Sequence, residues 1–82
     1  MGYKRRRYTN FLRVARQNAG YQQKQVAKLL GYETASTVND WENERKMPSA
    51  INLMKLCVLY DTTPQELYPE HYKQSFQDFT VQ

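Results

Sequence analysis

No side chains in this sequence are arranged for bond-making chemistry. His71 and Cys57 are each alone of their kind. No two carboxylates share an apolar face where burial would separate their protonation. No glycine-rich phosphate loop or metal-ligand spacing occurs either. No catalysis, cofactor, metal or small-molecule ligand is therefore expected. What remains is hydrogen bonding and charge, and it centres on the stretch QQKQVAKLLGYETASTVNDWE at residues 22–42. Near its end Val38 and Trp41 form an apolar pair at i and i+3. Ala35, Ser36, Asn39, Asp40 and, just beyond, Asn43 then fall on the opposite side. Side chains this short let a helix come close to base edges, where Asn can pair with adenine and Asp can accept from a cytosine amino group. Any solvated helix face looks the same, so the face alone does not decide.

The elements that would position those residues are two short helices and a tight turn. Val26, Ala27 and Leu30 make the inner face of the first, over residues 22–30. Small Ala27 suits a close crossing. Gly31 follows Leu30, where a residue without Cβ enters the left-handed conformation cheaply. Thr34 is the best cap for a second helix over 35–43. Such a unit is a helix-turn-helix, whose second helix can lie in the DNA major groove. Gln22 is a weak cap, so the free N–H groups and the dipole at that helix start would welcome a phosphate, with Gln23 and Lys24 adding donors.

Around this unit the chain predicts three more helices and a tail. A first helix over 10–18, capped by Thr9 and closed by Gly20, carries Phe11, Leu12 and Ala15 inward with Arg16 beside them. Arg45 and Lys46 lie in an exposed loop before Pro48. Ser49 caps a helix to Tyr60 with Leu53, Leu56, Cys57 and Tyr60 on its core face. Thr63, Pro64 and Glu66 form a capping box that starts a short helix placing Leu67 and Tyr68 in the core. Beyond Pro69 a further short helix over 70–79 would set Tyr72, Phe76 and Phe79 on one face. That much aromatic surface either folds back on the bundle or binds a second chain.

At 82 residues the chain reads as one domain without a separate sensor or catalytic unit, since a chain this small buries only about 60% of its unfolded surface. A lone cysteine and the lack of an apolar run long enough to span a bilayer make a soluble, cytoplasmic protein the default and a membrane partner unexpected. Net charge is +4, with +6 on residues 1–48 and −2 on residues 49–82. The basic half contains the helix-turn-helix, as a polyanionic partner would require. Lys4, Arg5, Arg6 and Arg7 are four consecutive cations within residues 1–7. They read as a flexible arm reaching along a phosphate backbone or into a minor groove, with the domain proper at 8–69 and the aromatic segment at 70–82.

From Leu12 to Leu67 the sequence resembles the Cro and phage-repressor (XRE) type of DNA-binding domain. The residues carrying the likeness are Leu12, Arg13, Arg16, Gly20, Gln23, Val26, Ala27, Leu30 and Gly31, then Ser36-Thr37-Val38, Trp41-Glu42, Arg45, Pro48-Ser49, Leu53, Leu56 and Leu67. The resemblance implies an all-α, compact five-helix bundle of the lambda-repressor-like kind that binds double-stranded operator DNA as a homodimer through its third helix. It places Gln23 on a phosphate, Thr34, Ala35, Ser36, Thr37 and Asp40 at or beside base-reading positions, and Arg45 near the minor groove or backbone. It also implies a partly buried ion pair between Arg16 and Glu42. Three departures stand out. The turn before the third helix is one residue longer than the family's commonest form, Glu44 replaces the usual Gly so that Asn43 or Glu44 must end the helix, and Gln22 replaces the usual capping Ser or Thr. A transcriptional regulator, a repressor in the family's usual manner, is the expectation. A protein-interaction module on the same fold, such as an antitoxin, is the alternative, and a nonspecific nucleic-acid binder a third.

Overall fold

The first four helices of the fold all stop in one way. In a computed structural model that describes residues 8–80, the order is α1 (Leu12–Asn18), α2 (Gln23–Leu29), α3 (Ser36–Glu42), α4 (Ala50–Tyr60), α5 (Pro64–Leu67) and α6 (Pro69–Thr80). No strand occurs among the described residues. After α2, Gly31 takes φ +91°. Its N–H donates to the Lys28 carbonyl, and that of Tyr32 to the Ala27 carbonyl. This paired closure satisfies the last free carbonyls and turns the chain sharply toward α3. The same closure ends α1 at Gly20. It ends α3 at Glu44 (φ 66°) and α4 at Asp61 (φ 53°), where side-chain residues occupy the left-handed region. Of the two residues able to end α3, Glu44 is the one that does.

Several helix starts differ from expectation. α1 begins at Leu12, not residue 10, and its organiser is Asn10 instead of Thr9. The Asn10 Oδ1 accepts from the Leu12 N–H at 2.9 Å, while its Nδ2 donates to the carbonyls of Tyr8 (2.8 Å) and Trp41 (2.9 Å). The amide carries two N–H donors beside its acceptor oxygen, so it can start one helix and hold two carbonyls at once, whereas a hydroxyl has a single donor. Phe11, expected inward, is exposed because α1 starts one residue beyond it. The start of α2 is better served than its weak cap suggested, since the Gln25 Oε1 accepts from the Gln22 N–H at 2.8 Å. α3 begins at Ser36, with no side-chain cap bond at its N-cap residue Ala35. Thr34 stands one residue too early for the N-cap, and its hydroxyl shares a hydrogen bond with the Ser36 hydroxyl at 2.9 Å and accepts from the Ser36 N–H at a long 3.4 Å.

Leu12, Val26, Ala27, Val38, Trp41, Leu56, Tyr60, Leu67 and Tyr68 form the core. Ala27 is buried where α2 meets α3, and Tyr32 packs edge-on to Trp41 at 6.0 Å. Ser49 and Thr63 cap α4 and α5 by accepting from the N–H groups of Asn52 and Glu66. The Glu66 carboxylate reaches the Thr62 hydroxyl at 2.7 Å. Burial pushes the phenols of Tyr60 and Tyr68 well above their ordinary range. The Tyr68 hydroxyl is buried and meets no hydrogen-bond partner among the described residues. Leaving a buried hydroxyl unsatisfied costs roughly 1–3 kcal/mol. Tyr68→Phe is accordingly expected to raise the thermal midpoint in a melt followed by circular dichroism, and a lowered midpoint would show that the hydroxyl stabilises the fold.

α6 grows directly from α5, the Tyr72 N–H donating to the Tyr68 carbonyl at 2.9 Å. His71 is its inward residue, with ring centroids 5.9 Å from Tyr8 and 5.8 Å from Tyr68. Tyr72, Phe76 and Phe79 point into solvent. The fold-back alternative for these aromatics is therefore overturned, because His71 takes the side of α6 that faces the bundle. Residues 1–7, including Arg5, Arg6 and Arg7 of the expected arm, lie outside the described residues.

Candidate nucleic-acid interface

Three helices meet on one carboxylate. The side chain of Glu42, at the end of α3, is 1% exposed. Its Oε2 accepts from the Arg16 Nε at 2.6 Å. Its Oε1 accepts from the Arg16 Nη2 at 3.2 Å, the Arg13 Nε at 3.3 Å and the Gln23 Nε2 at 2.9 Å. Arg16 is itself buried, and its Nη1 donates to the Tyr21 carbonyl at 2.9 Å. The hydrogen bond to Glu42 raises the guanidinium pKa against the opposing cost of burial. A buried carboxylate survives in an apolar setting only when its lone pairs are filled in this way. Together with Val38 and Trp41, the cluster fixes the rotation of α3 about its own axis.

That rotation decides what faces outward. Ser36 and Asn43 are exposed, and Ala35, Thr37, Asn39 and Asp40 are half-buried along the same helix. Several are already engaged. The Asn39 Oδ1 accepts from the Gln23 Nε2 at 3.2 Å, which leaves its amide N–H groups for an outside partner. Asp40 pairs with Arg45 at 3.2 Å. The Asn43 Oδ1 accepts from the Arg13 Nη2 at 3.0 Å, and its Nδ2 donates back to the Asn39 carbonyl. Gln23 is half-buried, with its amide turned toward α3. Lys24, Thr34, Arg45 and Lys46 are exposed around the rim. The structure thus brings Gln23, Asn39, Asp40, Asn43 and Arg45 into one connected surface. Lys24 and Lys46 stand apart from its hydrogen bonds.

Two members of this network had no role assigned from sequence. Arg13 shares Glu42 with Arg16, and its signal was the i, i+3 spacing that puts both guanidinium groups on one side of α1. Asn10 joins α1 to the end of α3, but an Asn ahead of a helix reads only as a local cap.

Two short helices crossing at a glycine turn, the second locked from within and polar without, define a helix-turn-helix DNA-binding domain. A helix-turn-helix family model matches residues 12–67. The chain belongs to this family, the Cro/C1-type or XRE helix-turn-helix proteins, whose members are DNA-binding regulators and typically not enzymes. No curated protein and no solved structure matches the chain. No helix among the described residues is long and apolar enough to cross a membrane.

Proposed function

We propose that the protein is a sequence-specific transcriptional regulator that binds double-stranded DNA as a homodimer on a two-part operator, with α3 in the major groove. The observation that carries this reading is the locked rotation of α3, which holds Ser36, Asn39 and Asp40 outward on a helix pinned at Glu42. A reading surface works by its donor and acceptor pattern, so side chains held in one orientation discriminate better than mobile ones. With its oxygen already accepting from Gln23, Asn39 serves as a donor. It suits guanine N7 and O6 or thymine O4 better than the two-bond pairing with adenine. Lys24, Arg45, Lys46 and the arm residues Arg5, Arg6 and Arg7 supply phosphate contacts, which give affinity without sequence information.

Selection from random duplexes tests the proposal. The expected result is a roughly palindromic site with half-sites about one helical turn, or about 34 Å, apart. Recovery of duplexes without a shared motif would leave the nonspecific or protein-interaction readings. The arm has its own test. Deleting residues 1–7 is expected to weaken binding to selected and random duplexes alike and to flatten the plot of log affinity against log salt, each lost phosphate contact removing roughly 0.9 from the slope. An unchanged slope would take the arm off the DNA.

A further inference from the structure

α4 has the composition of a buried helix and the position of a surface one. Of its eleven residues only Asn52 and Lys55 are polar. Leu53, Leu56, Cys57 and Tyr60 point inward. The opposite side repeats the i, i+3, i+4, i+7 spacing with Ile51, Met54, Lys55 and Val58, and exposes Ile51 by 58%, Met54 by 55% and Val58 by 83%. Leu29 of α2, 60% exposed, borders the same strip and makes an apolar groove with Met54, Lys55 and Val58. A helix apolar on all sides is normally covered on all sides. Clustered on one strip, these exposed apolar side chains form a place where a partner can dock.

The chain carries a second exposed apolar surface. On α6, Tyr72 is 49% exposed, Phe76 63% and Phe79 81%, and they make one convex ridge at i, i+4 and i+7. We infer that the α2–α4 groove receives the aromatic face of α6 from a second copy of the chain, each copy giving its α6 to the other. This rests on the homodimer proposed above and supplies its interface.

Area favours exchange over simple pairing of the two α6 helices. At roughly 150–250 Å² per aromatic side chain, the exposed fractions leave about 300–500 Å² on each α6 ridge. Two ridges packed only on one another would bury about 600–1,000 Å², below the roughly 1,200–2,000 Å² of specific interfaces. Leu29, Met54 and Val58 of the groove, with Ile51 beside them on the strip, add about 150–300 Å² per copy, taking roughly 60–120 Å² for each whole side chain. Exchange then buries about 900–1,600 Å² in two equal contacts, which overlaps the range of specific interfaces and has the two-fold form expected of a homodimer. Lys55 points to the same occupant. It lines the groove beside Leu29, Met54 and Val58, and an aromatic partner offers its cation a ring face where an aliphatic one offers none.

Sedimentation equilibrium of the full chain and two variants tests the inference. Val58→Asp spoils the groove and keeps α6 intact, whereas Phe76→Asp spoils α6 and keeps the groove. Both positions are exposed, and circular dichroism checks the helix content. Leu29→Asp replaces Val58→Asp if the latter does not fold. Each variant alone is expected to raise the dimer dissociation constant by roughly 100-fold or more. An equimolar mixture of the two is expected to recover dimer, because one copy's sound α6 meets the other's sound groove. A Val58→Asp protein that dimerises like the parent would overturn the inference in favour of α6 pairing alone, with the homodimer reading intact. A parent that is monomeric at all concentrations, and alone on its operator, would remove the homodimer reading together with the inference.

Discussion

Replacing Arg16 by Ala is expected to cost roughly 3–5 kcal/mol of folding stability, because it strands a carboxylate inside the protein. In a domain of this size that lowers the thermal midpoint by roughly 4–8 °C per kcal/mol. The Glu42 side chain is almost wholly buried and takes two of its four hydrogen bonds from Arg16. Arg13 and Gln23 remain to serve it in the variant, so the loss should fall toward the lower end of the range. Arg16→Lys is expected to recover only part of it. A single ammonium cannot reach both carboxylate oxygens and the Tyr21 carbonyl in the geometry of the guanidinium fork. Denaturant melts of the parent and both variants provide the check, and an Arg16→Ala midpoint equal to the parent's would show that the pair does not stabilise the fold.

Asp40→Ala should tighten binding to random DNA while narrowing the advantage of the best site. A carboxylate on the reading face is repelled by phosphates on every duplex and gains only where a cytosine amino group meets it. The ion pair with Arg45 tempers the repulsion, its Nη1 lying 3.2 Å from the Asp40 Oδ1. Removing the carboxylate also frees Arg45 for the DNA backbone, which again favours any duplex. The discrimination lost should be roughly 1–3 kcal/mol, the worth of one base contact. Arg45→Ala is expected to act in the opposite sense on random DNA. Fluorescence anisotropy titrations at one salt concentration measure both effects, and weaker binding of Asp40→Ala to scrambled duplex would contradict this account of its charge.

Much of this arrangement could be read before the structure. Val26, Ala27, Val38 and Trp41 are spaced for two crossing helices, and Gly31 marks the turn between them. These signals are local, repeat with the helical period and are reinforced by burial, so they survive folding unchanged. The features that escaped notice depend on distant partners. Asn10 holds the Trp41 carbonyl across 31 positions of sequence, and Gln23 meets Asn39 and Glu42 across the turn. A polar side chain does not announce which of its several partners it will take. The outward strip of α4 was hidden differently. Ile51, Met54 and Val58 interleave with an inward stripe of equal strength, and one stripe is enough to account for a core helix. The exposure of Phe11 followed from a two-residue error in the start of α1, which leaves Phe11 just ahead of the helix instead of within its first turn.

The central claim is that α3 reads sequence with its outer face while the surrounding cations supply affinity alone. It is tested most directly by the ratio of affinities for a selected operator and a scrambled duplex, measured at one salt concentration for the parent and for a protein with Ser36, Asn39 and Asp40 all changed to Ala. The parent ratio should be roughly 10³ or more. The variant should stay folded, since none of the three side chains lies in the core, and its ratio should fall close to one while binding to scrambled duplex is kept or strengthened. A variant that folds and retains the parent's ratio would show that α3 does not read the bases.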